Sequence, residues 1–174
     1  MATPAFTRPS SSAPVTTSPT GAPSSPVDRT MVAGLVAQAS AIRELTASLH
    51  AAAKAADPDG TNPRRAASVR AWAVNIHRIV GVNWVCLLRA LETDDAERLL
   101  PWLAALVCTA ADLAGPPREL ATETARVQRA IRALSADLRI ADRNLRLPDG
   151  QLRPGVAPDL IAVMRDLSSR YLAS

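Results

Sequence analysis

The chain has 174 residues, of which 48% are hydrophobic, 3% are aromatic and two are cysteine. This length fits one globular domain, and two cysteines are too few for a disulfide scaffold. The formal charge of +4 is carried by 19 arginines and a single lysine, a bias typical of GC-rich bacteria. Because β-branched and aromatic residues are scarce and Ala, Leu and Arg favour helices, an all-α fold is expected.

Residues 1–26 differ from the rest of the chain in composition. They contain six Pro, six Ser and five Thr, and Arg8 is their one charged residue. This composition predicts a disordered N-terminal tail, leaving 27–174 as a single helical-bundle domain. Pro23 and Pro26 have the PxxP spacing of peptide ligands, so the tail is a candidate for docking. The basic and then apolar pattern of a secretory signal is missing, which favours a cytoplasmic protein.

Five segments after the tail have helical hydrophobic periodicity. Asp28 is a candidate N-cap for the first, and Asn62 followed by Pro63 for the second. Asp94 and Glu97 have the spacing of a capping box at the start of the third. Pro101 is expected to kink the third helix or to split off its first turn. The predicted helices are 28–56, 64–92, 94–114, 118–146 and 158–172, and together they indicate an elongated bundle.

The second helix is apolar on nearly all sides. It is therefore predicted to be central and buried on most sides, with Arg64, Arg78 and Arg89 on its one polar face. Asn83 interrupts its apolar run within ten residues, and Pro101 and Asp112 interrupt the next one. Neither run reaches the 20 or so apolar residues of a membrane-spanning helix, so no span is expected.

The fourth helix carries a heptad seam with alternating steps of four and three. Such a seam can be buried inside the domain or against a partner. Its members are Leu120, Thr124, Val127, Ile131, Leu134, Leu138, Ala141 and Leu145.

His77 is the best single candidate for chemistry. With Gly81, Asn83 and Trp84 it could line a small pocket on the second helix. The competing interpretation is a histidine at the rim of the core, bonded to a carbonyl of a neighbouring helix, with Gly81 admitting close helix approach.

Metal and covalent chemistry find little support in the sequence. No two of His50, His77, Cys86 and Cys108 have the spacing of a typical ligand pair, so neither a metal nor a cofactor is expected. Both cysteines lie among Val and Leu, as small buried side chains do. The acids near residue 95 are explained by a helix N-terminus. No catalytic residue is assigned, and an enzyme is not favoured.

The net positive charge of residues 27–174 is concentrated on the fourth helix, which contains seven arginines and four acidic residues. A helical wheel places most of these arginines opposite the seam. The resulting Arg ridge could meet nucleic acid or an acidic protein, or be an ordinary solvated face. Its candidate members are Arg129, Arg132, Arg139, Arg143 and Arg146.

Three hypotheses follow for the function. The leading one is a non-enzymatic interaction or assembly protein that binds a protein partner, or a second copy of itself, through the bundle and the tail. The second is a nucleic-acid-binding or nucleoprotein subunit that uses the Arg ridge. The third is a small-molecule-binding or enzymatic bundle centred on His77.

Overall fold

The computed structural model describes residues 27–56 and 60–172, so the predicted N-terminal tail lies outside the described residues. The described residues form five α-helices and no strand, which confirms the all-α fold. Short 3-10 segments, Thr109–Leu113 and Arg118–Leu120, flank the connection between the third and fourth helices. The helices are α1 (Arg29–Lys54), α2 (Pro63–Glu92), α3 (Ala96–Cys108), α4 (Ala121–Leu145) and α5 (Val156–Leu172).

The first two helices begin where the sequence predicts. The Asp28 carboxylate accepts hydrogen bonds from the amides of Thr30 and Met31, at 2.9 and 3.1 Å. The Asn62 side chain accepts from the amide of Arg65 at 3.1 Å, and Pro63 takes the first helical position. Each cap satisfies amides that have no partner within the helix.

The start of α3 differs from the predicted capping box. Asp94 has a φ of 54°, and its carboxylate lies 2.7 Å from the guanidinium of Arg165 on α5. The N-cap is Asp95, whose side chain makes no capping bond. The predicted box is wrong because the Asp94 carboxylate pairs with another helix.

Pro101 lies inside α3, and the helix is not split there. Proline cannot donate to the carbonyl four residues earlier, which belongs to Glu97. That carbonyl accepts a hydrogen bond from Nη2 of Arg146 at 3.1 Å. The side chain of Arg146 thus replaces the missing amide. The predicted 94–114 helix ends as an α-helix at Cys108 and continues as a 3-10 segment.

The heptad seam of α4 lies inside the domain. All eight members, from Leu120 to Leu145, are buried. α4 packs mainly on α1 and α3, so the core lies between these helices and the inner side of α2. Since the seam is covered by the chain's own helices, it is not a surface for a partner.

The prediction that α2 is buried on most sides is wrong. α1, α3 and α5 pack against α2, yet Val74, Val82 and Val85 are 46%, 58% and 63% exposed. These three valines define the outer face of α2. Among the described helices, α2 is the one that is long and apolar enough to cross a membrane. Core helices of soluble proteins meet the same criterion. In its most apolar 18-residue stretch, 28% is buried within the domain.

Candidate functional site

A surface groove of about 920 Å³ lies between α1, α2 and the last turn of α5. We call it the α2 groove. Val82 and Val85 of the outer face of α2 form part of its wall, whereas Val74 is not among its lining residues. Its lining residues are Ser40, Arg43, Glu44, His77, Arg78, Gly81, Val82, Trp84, Val85, Cys86, Leu88, Arg170 and Tyr171.

Three of the four residues of the predicted pocket meet in this groove. His77, Gly81 and Trp84 line it, whereas Asn83 does not. Asn83 is half-buried on another side of α2. A helix separates successive residues by about 100°, so the neighbour of a groove residue in the sequence need not share its face.

The floor of the groove is held by aromatic contacts. Trp84 is 5% exposed and meets Tyr171 edge to face, with ring centroids 5.7 Å apart and planes at 81°. The guanidinium of Arg43 lies over the Trp84 ring, 5.9 Å from its centroid. Such cation–π and edge-to-face contacts fix side-chain positions from three helices.

His77 has a neighbour that the sequence did not indicate. Its imidazole stacks on that of His50 from α1, with ring centroids 5.6 Å apart. The Nδ1 atoms of both rings are buried without a hydrogen-bond partner in the described part of the chain. At Nδ1, therefore, the expected bond to a carbonyl of a neighbouring helix is not found. The packing of α1 on α2, and not residue spacing, brings the two rings together.

Gly81 is an open position on the groove. A Cβ atom placed there would meet nothing within 4 Å. No described helix of this chain therefore approaches Gly81 closely, so the expectation that it admits a neighbouring helix of its own chain is wrong. The backbone at this point is instead accessible from outside.

The charges of the groove are unbalanced. Its lining includes the guanidinium groups of Arg43, Arg78 and Arg170 and the single carboxylate of Glu44. Within the described residues, none of these three arginines forms an ion pair, whereas Arg65, Arg146 and two others pair across elements. The groove therefore carries an excess of two positive charges beside its apolar surface.

The groove continues along α2 toward its C-terminal end. A second depression of about 580 Å³ shares Val85 and Leu88 with the first and adds Glu92 and Leu172. Leu172 is itself 44% exposed. From His77 to Glu92 the combined surface follows about 22 Å of helix at 1.5 Å per residue.

Four members of the predicted Arg ridge lie together on the surface of α4. Arg129, Arg132, Arg139 and Arg143 are exposed, and within the described residues none pairs with a carboxylate. Arg146 is not part of this surface. Its side chain is 13% exposed and lies 3.3 Å from carboxylates of Glu97 and Asp142. Arg146 follows the last residue of α4 with an extended backbone, and its side chain contacts the start of α3.

The two cysteines differ in exposure. Cys86 is half-buried and lines the α2 groove, but Cys108 is exposed. The prediction that both are buried is therefore wrong for Cys108, which ends α3 on its outer side. Among the described residues, no three His, Cys, Asp or Glu side chains are grouped as metal ligands would be.

Comparison with known proteins adds no relative. No protein-family model matches the chain, and no curated protein or solved structure is significantly similar to it. The function must therefore be inferred from the geometry of the surface.

Proposed function

We propose that this protein is a non-enzymatic interaction protein whose partner docks on the outer face of α2. One observation carries the proposal: Val74, Val82 and Val85 are 46%, 58% and 63% exposed on one side of a single helix. Leu172 extends this apolar surface at the end of α5. Single exposed hydrophobic residues are common, but several on one helix face, interspersed with arginine, are typical of an interaction site.

The energetics of burial support docking at this face. Covering apolar surface contributes about 25 cal/mol per Å², so three valines and a leucine supply useful free energy only when a partner excludes water from them. Buried Trp84 and its aromatic contacts give the face a rigid base. A rigid surface loses little conformational entropy when it binds.

The groove has little that supports catalysis. Covalent catalysis requires a nucleophile within hydrogen-bond reach of a base. The imidazole of His77 is stacked on a second imidazole, and its Nδ1 is buried. Cys86 is half-buried. These contacts favour a binding surface over a reaction centre.

Site-specific photo-crosslinking in the native cells tests the proposal. A benzophenone amino acid replaces Val82, and the control carries it at Ala111, which is exposed on the 3-10 segment after α3. We expect the Val82 position to give one adduct of defined mass, identified by mass spectrometry, that the Ala111 position does not give. Identical products from both positions, or no adduct from Val82, would contradict docking at this face.

A second candidate function, nucleic-acid binding, is supported by the four exposed ridge arginines that pair with no carboxylate in the described chain. Arg129 and Arg143 are about 21 Å apart along α4 at 1.5 Å per residue, enough to follow several phosphates. If this ridge binds nucleic acid, log affinity falls linearly with log salt concentration. Replacing Arg132, Arg139 and Arg143 by Ala should then abolish retention on heparin, and unchanged retention would exclude the ridge.

A further inference from the structure

We propose that the segment docked on the outer face of α2 is an acidic amphipathic helix, a partner chemistry that rests on the proposed function. Its apolar side would cover the exposed valines. Carboxylates on its flanks would meet Arg43, Arg78 and Arg170, which form no ion pair among the described residues. The geometry points to the α2 groove as the place where these contacts converge.

The spacing along α2 favours a helix as the occupant. Residues 74, 78, 81, 85, 88 and 92 follow one another by alternating steps of four and three, the period at which helices pack side by side. All six are exposed or half-exposed. The open backbone at Gly81 lies near the centre of this row and allows close approach. From residue 74 to residue 92 the row is about 27 Å long, which suits a helix of five turns better than a compact small molecule.

The charge of the groove selects the kind of helix. In the α2 groove three guanidinium groups line the surface with one carboxylate, Glu44, and the second depression adds one charge of each sign, Arg89 and Glu92. Arg78 belongs to the packing row itself, and Arg43 and Arg170 stand beside it on α1 and α5. Covering Arg78 without a counter-charge would leave a buried charge unpaired, which is costly. A carboxylate opposite each arginine removes that cost and adds a charge-assisted hydrogen bond.

Two occupants from this chain fit less well. Residues 1–26 contain no Asp or Glu, so they offer no acidic side chain to the groove arginines. A second copy docked symmetrically on the same face would bring together two grooves that each carry an excess of positive charge. Like charges brought together in an interface oppose association.

An anionic membrane also fits less well than a helix. Interfacial membrane helices separate a continuous apolar face, rich in large side chains, from a charged face. On α2, Arg78 lies between Val74 and Val82 in the same stripe. A partner helix can place a carboxylate opposite Arg78, whereas inserting the valines into acyl chains would draw the guanidinium in with them.

The test uses the full chain and a synthetic helical peptide of 18 residues, with Leu in an apolar seam, Glu on both flanks and a fluorescent label. A matched peptide carries Lys in place of every Glu. We expect the Glu peptide to raise fluorescence anisotropy and the Lys peptide not to. Losing one charge-assisted contact should weaken binding about tenfold or more in Arg78→Glu, with a similar loss in Val82→Asp. Arg129→Glu on α4 is the control and should bind like the wild type.

Reversing the charge of residue 78 gives a more stringent test of the same proposal. Arg78→Glu should bind the Lys peptide better than the wild-type protein does. Circular dichroism should show all variants equally folded, since the three substituted side chains are exposed. Equal binding of the Glu and Lys peptides, or failure of the Glu peptide to bind, would overturn the acidic helix. The acidic helix would also be overturned if the wild-type protein bound phosphatidylserine vesicles, Arg78→Glu did not, and the Glu peptide bound to neither.

The photo-crosslink separates the two proposals. If Val82 crosslinks specifically but the Glu peptide does not bind, docking at the face stands and the acidic helix is wrong. If Val82 also gives no specific adduct, both are wrong. A crosslinked partner segment that is helical and acidic supports both.

Discussion

His50 and His77 stack face to face across the α1–α2 interface, with ring centroids 5.6 Å apart and planes 11° from parallel. Both Nδ1 atoms are buried without a hydrogen-bond partner among the described residues. A buried polar atom left unpaired is unfavourable. The rings therefore contribute to the domain through packing rather than through a polar contact at Nδ1.

Replacing His50 by Phe tests that role. The phenyl ring keeps the stack and removes the unpaired nitrogen, so we expect the free energy of unfolding to stay the same or to rise by about 1 kcal/mol. His50→Ala removes the ring and should lose about 1–2 kcal/mol. Urea denaturation followed by circular dichroism measures both. An equal loss in the two variants would show that the imidazole makes a polar contact the fold needs.

Thr124 is a buried threonine of α4. It is 1% exposed within the α4 seam, and its Oγ1 forms no hydrogen bond in the described structure. Thr124→Val keeps the shape and should stabilise the protein by about 1 kcal/mol. Thr109 is the matched control, because its Oγ1 donates to the Leu106 carbonyl at 2.7 Å. Thr109→Val should destabilise by about 1 kcal/mol, and the same sign for both substitutions in thermal denaturation would contradict this reasoning.

The ion pair between Arg65 and Glu119 ties the start of α2 to the 3-10 segment before α4. The guanidinium donates to both carboxylate oxygens at 2.9 and 3.0 Å. These hydrogen bonds from Arg65 lower the pKa of the Glu119 carboxyl below its ordinary value. The pKa of Glu119 is therefore lower in the folded state than its value of about 4.3 in the unfolded chain. As a result, the ion pair stabilises the fold fully at pH values above about 4.3. That contribution is lost as the pH falls through the folded pKa.

NMR titration of the Glu119 side chain checks this directly. We expect a pKa below that of an unstructured Glu in the wild type and a return toward it in Arg65→Gln. Arg64→Gln removes a neighbouring guanidinium that forms no ion pair with any described residue, and should leave the titration almost unchanged. An equal change in both variants would mean that general charge, and not the Arg65 contact, sets the pKa.

The sequence predicted best where structure is determined locally. Every member of the α4 seam is buried because a sustained 3.5-residue repeat produces one continuous apolar stripe. The caps at Asp28 and Asn62 likewise depend on amides two or three residues away. For α2 the same reasoning failed, since composition shows how apolar a helix is but not how many helices will cover it.

The candidate site was partly predictable. His77, Gly81 and Trp84 were found because they lie on neighbouring turns of one helix. Arg43 and Tyr171 were missed because they come from α1 and α5, and only tertiary packing brings them to Trp84. The position of Arg146 was missed for the same reason. A helical wheel places it on the ridge, but α4 ends at Leu145, and the extended backbone of Arg146 lets its guanidinium reach α3.

Arg146 should matter for stability, and Arg139 should not. Arg146 pairs with Glu97 and Asp142 and donates to the carbonyls of Glu97 and Gly150. Arg146→Met removes these contacts and should lower the free energy of unfolding by about 1–3 kcal/mol. The loss is no larger because the carboxylate partners are largely exposed, which weakens the two ion pairs. Arg139→Ala on the exposed ridge should change it by less than about 0.5 kcal/mol. If guanidinium denaturation gave the same change in unfolding free energy for both variants, Arg146 would behave like an exposed arginine of the ridge, contrary to this prediction.

Pro101 allows the Arg146 contact to be isolated. The Glu97 carbonyl takes its hydrogen bond from Arg146 because residue 101 has no amide hydrogen. Pro101→Ala supplies that hydrogen, so Arg146→Met should cost less in this background than in the wild type. A double-mutant cycle measures the difference, expected at about 0.5–1.5 kcal/mol. Strict additivity of the two substitutions would show that the guanidinium does not replace the missing amide and that Arg146 acts through its ion pairs alone.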